Sequence, residues 1–289
     1  MSILPLSKDP QPDQAEFNAF FPSKFSLNEY TSPTSDLEGA DYPQPYTGTR
    51  RILLIGTDER YLTMENGTLF STGNHPVETL VPMYHLHKAG FEFDIATVSG
   101  NPVKFEFWAM PEEDEAITGL HKAYLDAFQK PLKLADVVAG LGPDSDYAAV
   151  FIPGGHGPLA GLPFSDEVGT VLRWALENDR HIISICHGPA ALLSCTPKVD
   201  GEPFPLAGYS ITAFPDAADR MTPEVGYMPG HLTWHFGEKL KALGVTILNT
   251  EVDSSTHKDR KLLTGSSPFA ANNLGKLAAE TLLAEVAGD

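Results

Sequence analysis

Three apolar runs pass directly into glycine-bearing loops: "RILLIG" from residue 51, "YAAVFIPGGHG" from residue 147 and "HIISICHGPAALL" from residue 181. Apolar residues at consecutive rather than alternate positions suit a parallel strand covered on both faces. Between the second and third runs, "DEVGTVLRWALENDR" has helical spacing. After the first, "HPVETLVPMYHLHKAG" reads as a helix stopped at Gly90, and "FEFDIATVS" follows as a strand, completing a β-loop-α-β unit. "YSITAF", "VTILN" and "RKLLTG" are predicted as further strands, and "PGHLTWHFGEKLKALG" and "SPFAANNLGKLAAETLLAEVA" as helices. The alternation predicts an α/β chain: a flavodoxin-like three-layer α/β/α sandwich with a mostly parallel sheet.

Two appendages are expected on this core. Residues 1–50 are rich in Pro, Ser, Asp and Tyr without a sustained period, so they read as an irregular N-terminal arm, docked by Phe17, Phe20, Phe21, Phe25 and Tyr30. Within the domain at 51–289, the segment at about 104–140 is acidic at first and helical afterwards, and reads as a small inserted helical lobe that walls a cleft.

The composition narrows the partners. The chain has 42% hydrophobic residues and no apolar run long enough to span a bilayer, so no membrane partner is expected. A net charge of −18 without a basic stripe opposes sequence-specific nucleic-acid binding, although a nucleotide can still be a chemical substrate. The N-terminus lacks the basic start and apolar core of a secretory signal, and Cys186 and Cys195 are the only cysteines. A cytoplasmic, reducing location is the expectation.

In a doubly wound sheet, ligands collect beyond the carboxyl ends of the strands. Three marked loops fall there: "SICHG", "IPGGHG" and "STGNHPVE". Cys186, at a strand-to-helix elbow, is either a small buried thiol or a nucleophile whose pKa is lowered by the helix dipole. Cys195 reads as structural. His187, next in sequence, is expected to point away from the thiol towards an acidic orienting group across the cleft. Glu78 is either a first-turn acid or, if buried against Cys186, a raised-pKa proton shuttle. Gly154 and Gly155 allow close backbone approach and can hold an oxyanion. His87, near a helix end, and Glu92, at the following strand, are spaced so that they can meet as metal ligands, while His87 equally suits the helix C-terminus as a cation.

Together "STGNHPVETL", "IPGGHG", "CHGPAALL", "AFPDAAD", "GYMPGHLTW" and "LLTGSSPFAANNLGKLAA" closely resemble the ThiJ/PfpI (Parkinson-protein-like) superfamily, and within it the HchA-type members, from "NAFFPSKFSLNEYTSP" to the C-terminus. The resemblance implies a homodimer with a cysteine nucleophile at Cys186, a glutamate at Glu78, a histidine at His187 and the Gly-Gly loop at Gly154 and Gly155. The third acid of the triad falls on Asp219 when "DAAD" is aligned by its second aspartate, with Asp216 the other choice. HchA-type members also carry a two-His-one-carboxylate metal site, which implies a possible zinc at His87 and Glu92. This chain departs there: Tyr124 stands where the second histidine belongs, and His121 lies one helical turn earlier as a substitute. No cofactor is required for the expected chemistry.

The activities implied are glutathione-independent conversion of methylglyoxal to lactate, removal of early glyoxal adducts from proteins and nucleotides, and a holding-chaperone role. The alternative from the residues alone is a Cys-His-Asp aminopeptidase-like hydrolase.

Overall fold

Ile52, Leu53, Leu54 and Ile55 of the strand Arg51–Ile55 are all fully buried, and they divide alternately between two cores. Ile52 and Leu54 pack with Ala149, Phe151 and Ile183 on one face of the sheet; Leu53 and Ile55 pack with Val150, Ile152 and Ile182 on the other. Burial on both faces is what the unbroken apolar runs require. The first core is closed by the helices Pro76–Lys88 and Ala271–Val286 through Leu80, Met83, Leu86, Leu274 and Ala278. The second is closed by the helices Asp166–Glu177 and Phe236–Ala242 and by a 3₁₀ turn over Gly188–Cys195. The result is a three-layer sandwich, described over residues 5–199 and 201–286 of a computed structural model.

The central sheet has seven strands in the order Thr256–Asp259, Leu262–Gly265, His181–Ile185, Tyr147–Ile152, Arg51–Ile55, Glu92–Thr97 and Leu132–Lys133. All neighbours are parallel except the outermost pair, Thr256–Asp259 with Leu262–Gly265. The reversal of strand order beside Arg51–Ile55 brings the loops after that strand, Tyr147–Ile152 and His181–Ile185 to one edge.

Several expected elements differ. "YSITAF" and "VTILN" do not join the central sheet; they form a separate parallel pair, Ser210–Ile211 with Thr246–Ile247. Beyond Ile211 the backbone turns to side chains, with Thr212 N donating to Thr264 Oγ1 at 2.9 Å and Ala213 N to Asn249 Oδ1 at 3.0 Å. Those bonds replace a strand ladder and carry the segment across the strand ends. The helix expected from "PGHLTW" onward covers only Phe236–Ala242, because Asp216 accepts from Gly237 N and Glu238 N and so caps its start there.

The N-terminal arm is not irregular throughout. Gln11–Pro12 and Ala19–Phe21 join Leu69–Ser71 and Tyr61–Thr63 in a four-stranded sheet, and a helix follows over Lys24–Tyr30. Polar bonds anchor the arm as much as its aromatics do: Ser23 N donates to Gly226 O at 2.8 Å and Ser26 Oγ to Val225 O at 2.6 Å, while Phe17 is exposed. The inserted lobe contains the helices Glu115–Ala123, Leu125–Gln129 and Leu134–Gly140, but it also supplies the edge strand Leu132–Lys133. Its Ile117 and Leu120 pack into the core beneath Pro76–Lys88.

Two loops meet where the sheet opens. His75 N donates to Gly154 O and Gly157 N to Gly73 O, each at 3.0 Å. A Cβ on Gly157 would lie 2.7 Å from the backbone of Gly73, so contact this close demands glycine. Gly157→Ala is therefore expected to lower unfolding free energy by more than about 2 kcal/mol. Gly119, exposed on the helix Glu115–Ala123 with no atom in the way of a Cβ, is the control: Gly119→Ala should stabilise by up to about 1 kcal/mol. Chemical denaturation of both variants checks the pair.

Candidate active site

The strand His181–Ile185 ends at Cys186, whose φ of 60° puts a non-glycine residue in the left-handed region. Two bonds hold it there: Cys186 N donates to Gly265 O at 2.9 Å, and Cys186 O accepts from Phe214 N at 3.0 Å. Left-handed backbone at a side-chain-bearing residue is strained and persists where its surroundings enforce it. The thiol is 3% exposed and faces a cavity of about 500 Å³.

His187 does not point away from the thiol, as its neighbouring position suggested. Its Nδ1 lies 3.3 Å from Cys186 Sγ, and its Nε2 lies 3.0 and 2.9 Å from the two oxygens of Asp219. The network assigns Nε2–H as donor to Asp219 and leaves the Nδ1 lone pair for the thiol proton. Asp219 is fully buried; burial alone would raise its pKa, but His187 and His156 together hold it well below the usual carboxylate range. Asp216 is elsewhere, capping the helix Phe236–Ala242.

Glu78 reaches the same point from the first turn of Pro76–Lys88. Its carboxyl faces the Cys186 thiol and the Gly155 amide, and its Oε2 is buried without a hydrogen-bond partner. Gly154 makes room for it: a Cβ there would strike Glu78 Oε2 and come within 2.8 Å of Cys186 Cβ. Gly155 follows with φ +93°.

The expected lowering of the Cys186 pKa is not what this environment does. The element after the elbow is a 3₁₀ turn rather than an α-helix, and burial, then the neighbouring Glu78 carboxylate, push the thiol well up. Burial likewise pushes Glu78 well above its ordinary value, with Glu106 adding to the rise. Burial opposes the charge of both acids, and Glu78 further opposes a thiolate at Cys186, so the resting site is a thiol beside a carboxyl.

Three cavity residues escaped sequence reasoning. His156, in the "PGGHG" loop, has Nε2 at 3.1 Å from Asp219 Oδ1, with its ring centroid 4.0 Å from that of His187. His75, immediately before the helix carrying Glu78, has its pKa pushed down to about 3 by burial and by His156 and His187, so it is neutral. Glu106, in "KFEFW", is fully buried in the cavity wall. The visible signals were slight: two histidines inside loops read for glycine and glutamate, and an acid between two phenylalanines.

The residues considered for zinc do not fit a metal. His87 Nδ1 is 3.7 Å from Glu92 Oε1, but the third position holds the Tyr124 hydroxyl, which donates to Glu92 Oε2 at 2.8 Å. Burial and then Glu92 push the Tyr124 phenol further up, so it stays protonated and is a poor ligand. His121 does not substitute: its ring is packed against Phe105, Phe107 and Phe128. Among the described residues, the donors that do converge are those of His156, His187 and Asp219, which already satisfy one another by hydrogen bonds.

The raised Glu78 pKa has a consequence for stability. A carboxyl whose folded pKa lies above its exposed value near 4.5 binds its proton more tightly when folded, so its contribution falls as pH rises above that value. Glu78→Gln cannot ionise, and its stability relative to wild type is expected to improve from about pH 5 to about pH 8. Unfolding midpoints at the two pH values read this out, and a constant difference contradicts it.

The family model of the DJ-1/PfpI family matches residues 68–280. The chain is 62% identical over 282 residues to the protein/nucleic acid deglycase HchA of Escherichia coli O1:K1, covering 98% of each chain. The same identity and coverage hold for HchA of Escherichia coli strain K12. Among solved structures, glyoxalase III from Candida albicans shares the fold with a TM-score of 0.63 at 21% identity, covering 80% of this chain and 97% of that one. A Francisella tularensis rapid encystment protein does so with a TM-score of 0.65 at 20% identity, covering 81% and 99%. Sequence over nearly the whole length, together with the thiol elbow, places this chain in the DJ-1/PfpI family.

Proposed function

We propose that the protein is a glutathione-independent glyoxalase and a deglycase of early glyoxal adducts. The observation that carries this is the buried Cys186 thiol held between His187 Nδ1 and the Glu78 carboxyl at the wall of a cavity of about 500 Å³. The 62% identity to a protein/nucleic acid deglycase supports it.

The aldehyde carbon of methylglyoxal is attacked by Cys186 Sγ as the thiol proton passes to His187 Nδ1, whose Nε2–H is held by Asp219. The new oxyanion is received by the Gly154–Gly155 loop and takes up the proton of the Glu78 carboxyl, giving a hemithioacetal while the thiol proton stays on His187. The Cys186 amide does not assist, because it is already spent on Gly265 O. Glu78, now as carboxylate, removes the hydrogen from the former aldehyde carbon and returns it to the neighbouring carbon through an enediol. Water hydrolyses the resulting thioester, its hydroxyl going to the acyl carbon and its proton to Glu78 while His187 returns a proton to the departing sulfur, which releases lactate and restores the thiol. With an aminocarbinol adduct the first step is displacement: the C–S bond forms, the C–N bond breaks and the amine leaves with a proton, after which the path is shared.

A Cys-His-Asp hydrolase uses the same three residues, but a thiol 3% exposed beneath Tyr30, Met221 and Phe269 suits a small aldehyde better than a peptide bond in an extended chain. Lactate formation from methylglyoxal without glutathione tests the proposal: wild type should turn over and Cys186→Ala should not, and equal turnover by both contradicts it. The two aspartates should separate. Asp219→Asn is expected to lower turnover by about 10²-fold or more, by leaving His187 in the wrong tautomer. Asp216→Asn should lower stability by about 1 kcal/mol through its weakened cap while keeping turnover per folded molecule. Steady-state rates and thermal unfolding of both variants check this.

A further inference from the structure

Glu106 has no role in the chemistry above, yet it is the most deeply buried acid in the cavity wall. Its Oε1 accepts from Thr72 Oγ1 at 2.6 Å and from His156 N at 3.4 Å. Its Oε2 is buried without a partner. The nearby Arg60 guanidinium favours its charge through space but spends its hydrogen bonds on the carbonyls of Thr72 and Phe105 at 2.8 and 2.9 Å. The backbone is fixed as well, with Glu106 N donating to Asn74 O at 3.0 Å. A carboxyl so rigidly held, with one oxygen satisfied from behind and the other left over, is an arrangement that a ligand in the cavity completes. Glu78 Oε2 is a second unpartnered carboxyl oxygen in the same cavity.

Two such oxygens match a requirement of the isomerisation. Turning the hemithioacetal into the thioester moves one hydrogen from carbon to carbon and another from oxygen to oxygen. A single carboxyl beside the carbons must carry both in turn; two carboxyls divide the work. We propose that Glu106 is a second catalytic carboxyl, exchanging protons with the two substrate oxygens while Glu78 moves the hydrogen between the carbons. This rests on the glyoxalase reading.

The step balances. Glu78 carboxylate takes the hydrogen from the sulfur-bearing carbon, the electron pair forms the carbon–carbon double bond, and the ketone oxygen takes the proton of Glu106. The product is an enediol with its two oxygens side by side. Glu106 carboxylate then removes the proton from the oxygen on the sulfur-bearing carbon as Glu78 protonates the other carbon. The thioester carbonyl forms, and each carboxyl ends in the protonation state in which it began.

The test is steady-state kinetics of Glu106→Gln with methylglyoxal in the absence of glutathione, beside the rate at which iodoacetamide alkylates Cys186. Glu106→Gln is nearly isosteric and keeps hydrogen bonds to Thr72 and His156, but it carries no exchangeable acid proton. The expected result is a kcat lower by about 10²-fold with KM changed by less than about 3-fold and an unchanged alkylation rate. Wild-type kcat in Glu106→Gln overturns the proposal, as does a loss of kcat matched by an equal loss of alkylation, which marks a structural role. Should Glu106→Gln not fold, Glu106→Asp decides: it retains an acid withdrawn by one methylene, and kcat should fall about 10-fold at normal alkylation, whereas an unchanged kcat overturns the proposal. A wild type inert to methylglyoxal overturns the glyoxalase reading itself, a result distinct from an active wild type with an equally active Glu106→Gln.

Discussion

Two backbone hydrogen bonds, His75 N to Gly154 O and Gly157 N to Gly73 O, sew the loop before the helix Pro76–Lys88 to the loop after the strand Tyr147–Ile152. The rest of the site depends on this seam. It sets the first turn of that helix against the end of the neighbouring strand, and so brings Glu78 to Cys186 from a position more than a hundred residues away in sequence. It also turns His156 back over Asp219. The glycines at the seam are sites of contact: a side chain at 154 would displace the carboxyl, and one at 157 would part the loops.

Sealing the loops together determines the electrostatics. A helix N-terminus favours a nearby anion by about 0.3–1 kcal/mol when exposed, which is a fraction of a pKa unit to somewhat under one. Removing a carboxyl or thiol from water opposes its charge by up to about 3–5 units. At Cys186 and Glu78 burial therefore wins, and the nucleophile is generated on demand by proton transfer instead of standing as a thiolate. The triad supplies the transfer route, because Asp219 stays ionised despite burial, held so by two histidines. One deep anion thus coexists with neutral acids, each with a distinct task.

The layered fold was legible because each strand announces itself by apolar residues on both faces, and Arg51–Ile55, Tyr147–Ile152 and His181–Ile185 stand where those runs lie. Cys186, His187 and Glu78 were legible from the loops they occupy. What stayed hidden is long-range or side-chain mediated. The separation of Ser210–Ile211 from the main sheet follows from bonds to Thr264 and Asn249, far along the chain. Of the arm's strands, Ala19–Phe21 pairs with Leu69–Ser71 and Gln11–Pro12 pairs with Ala19–Phe21, each over two residue pairs, too short for a period to betray them. The choice between Asp216 and Asp219 turns on the two ends of one short helix, Asp216–Asp219, which direct one carboxylate to a cap and the other to His187. His156 and Glu106 sit in segments whose patterns speak of glycine turns and aromatic packing, and their roles arise from what surrounds them in three dimensions. At the position considered for zinc, a protonated phenol bonded to Glu92 stands where a ligand histidine was expected, a difference read from one residue, Tyr124.

The central claim is a division of labour, with Cys186 forming the bond to substrate and Glu78 moving the hydrogen. Native mass spectrometry of Glu78→Gln incubated with methylglyoxal, with lactate measured in the same sample, tests it most directly. The account predicts a protein heavier by one methylglyoxal, the gain being absent in the Glu78→Gln, Cys186→Ala double variant, with lactate forming far more slowly than from wild type. Lactate appearing from Glu78→Gln at the wild-type rate would contradict it.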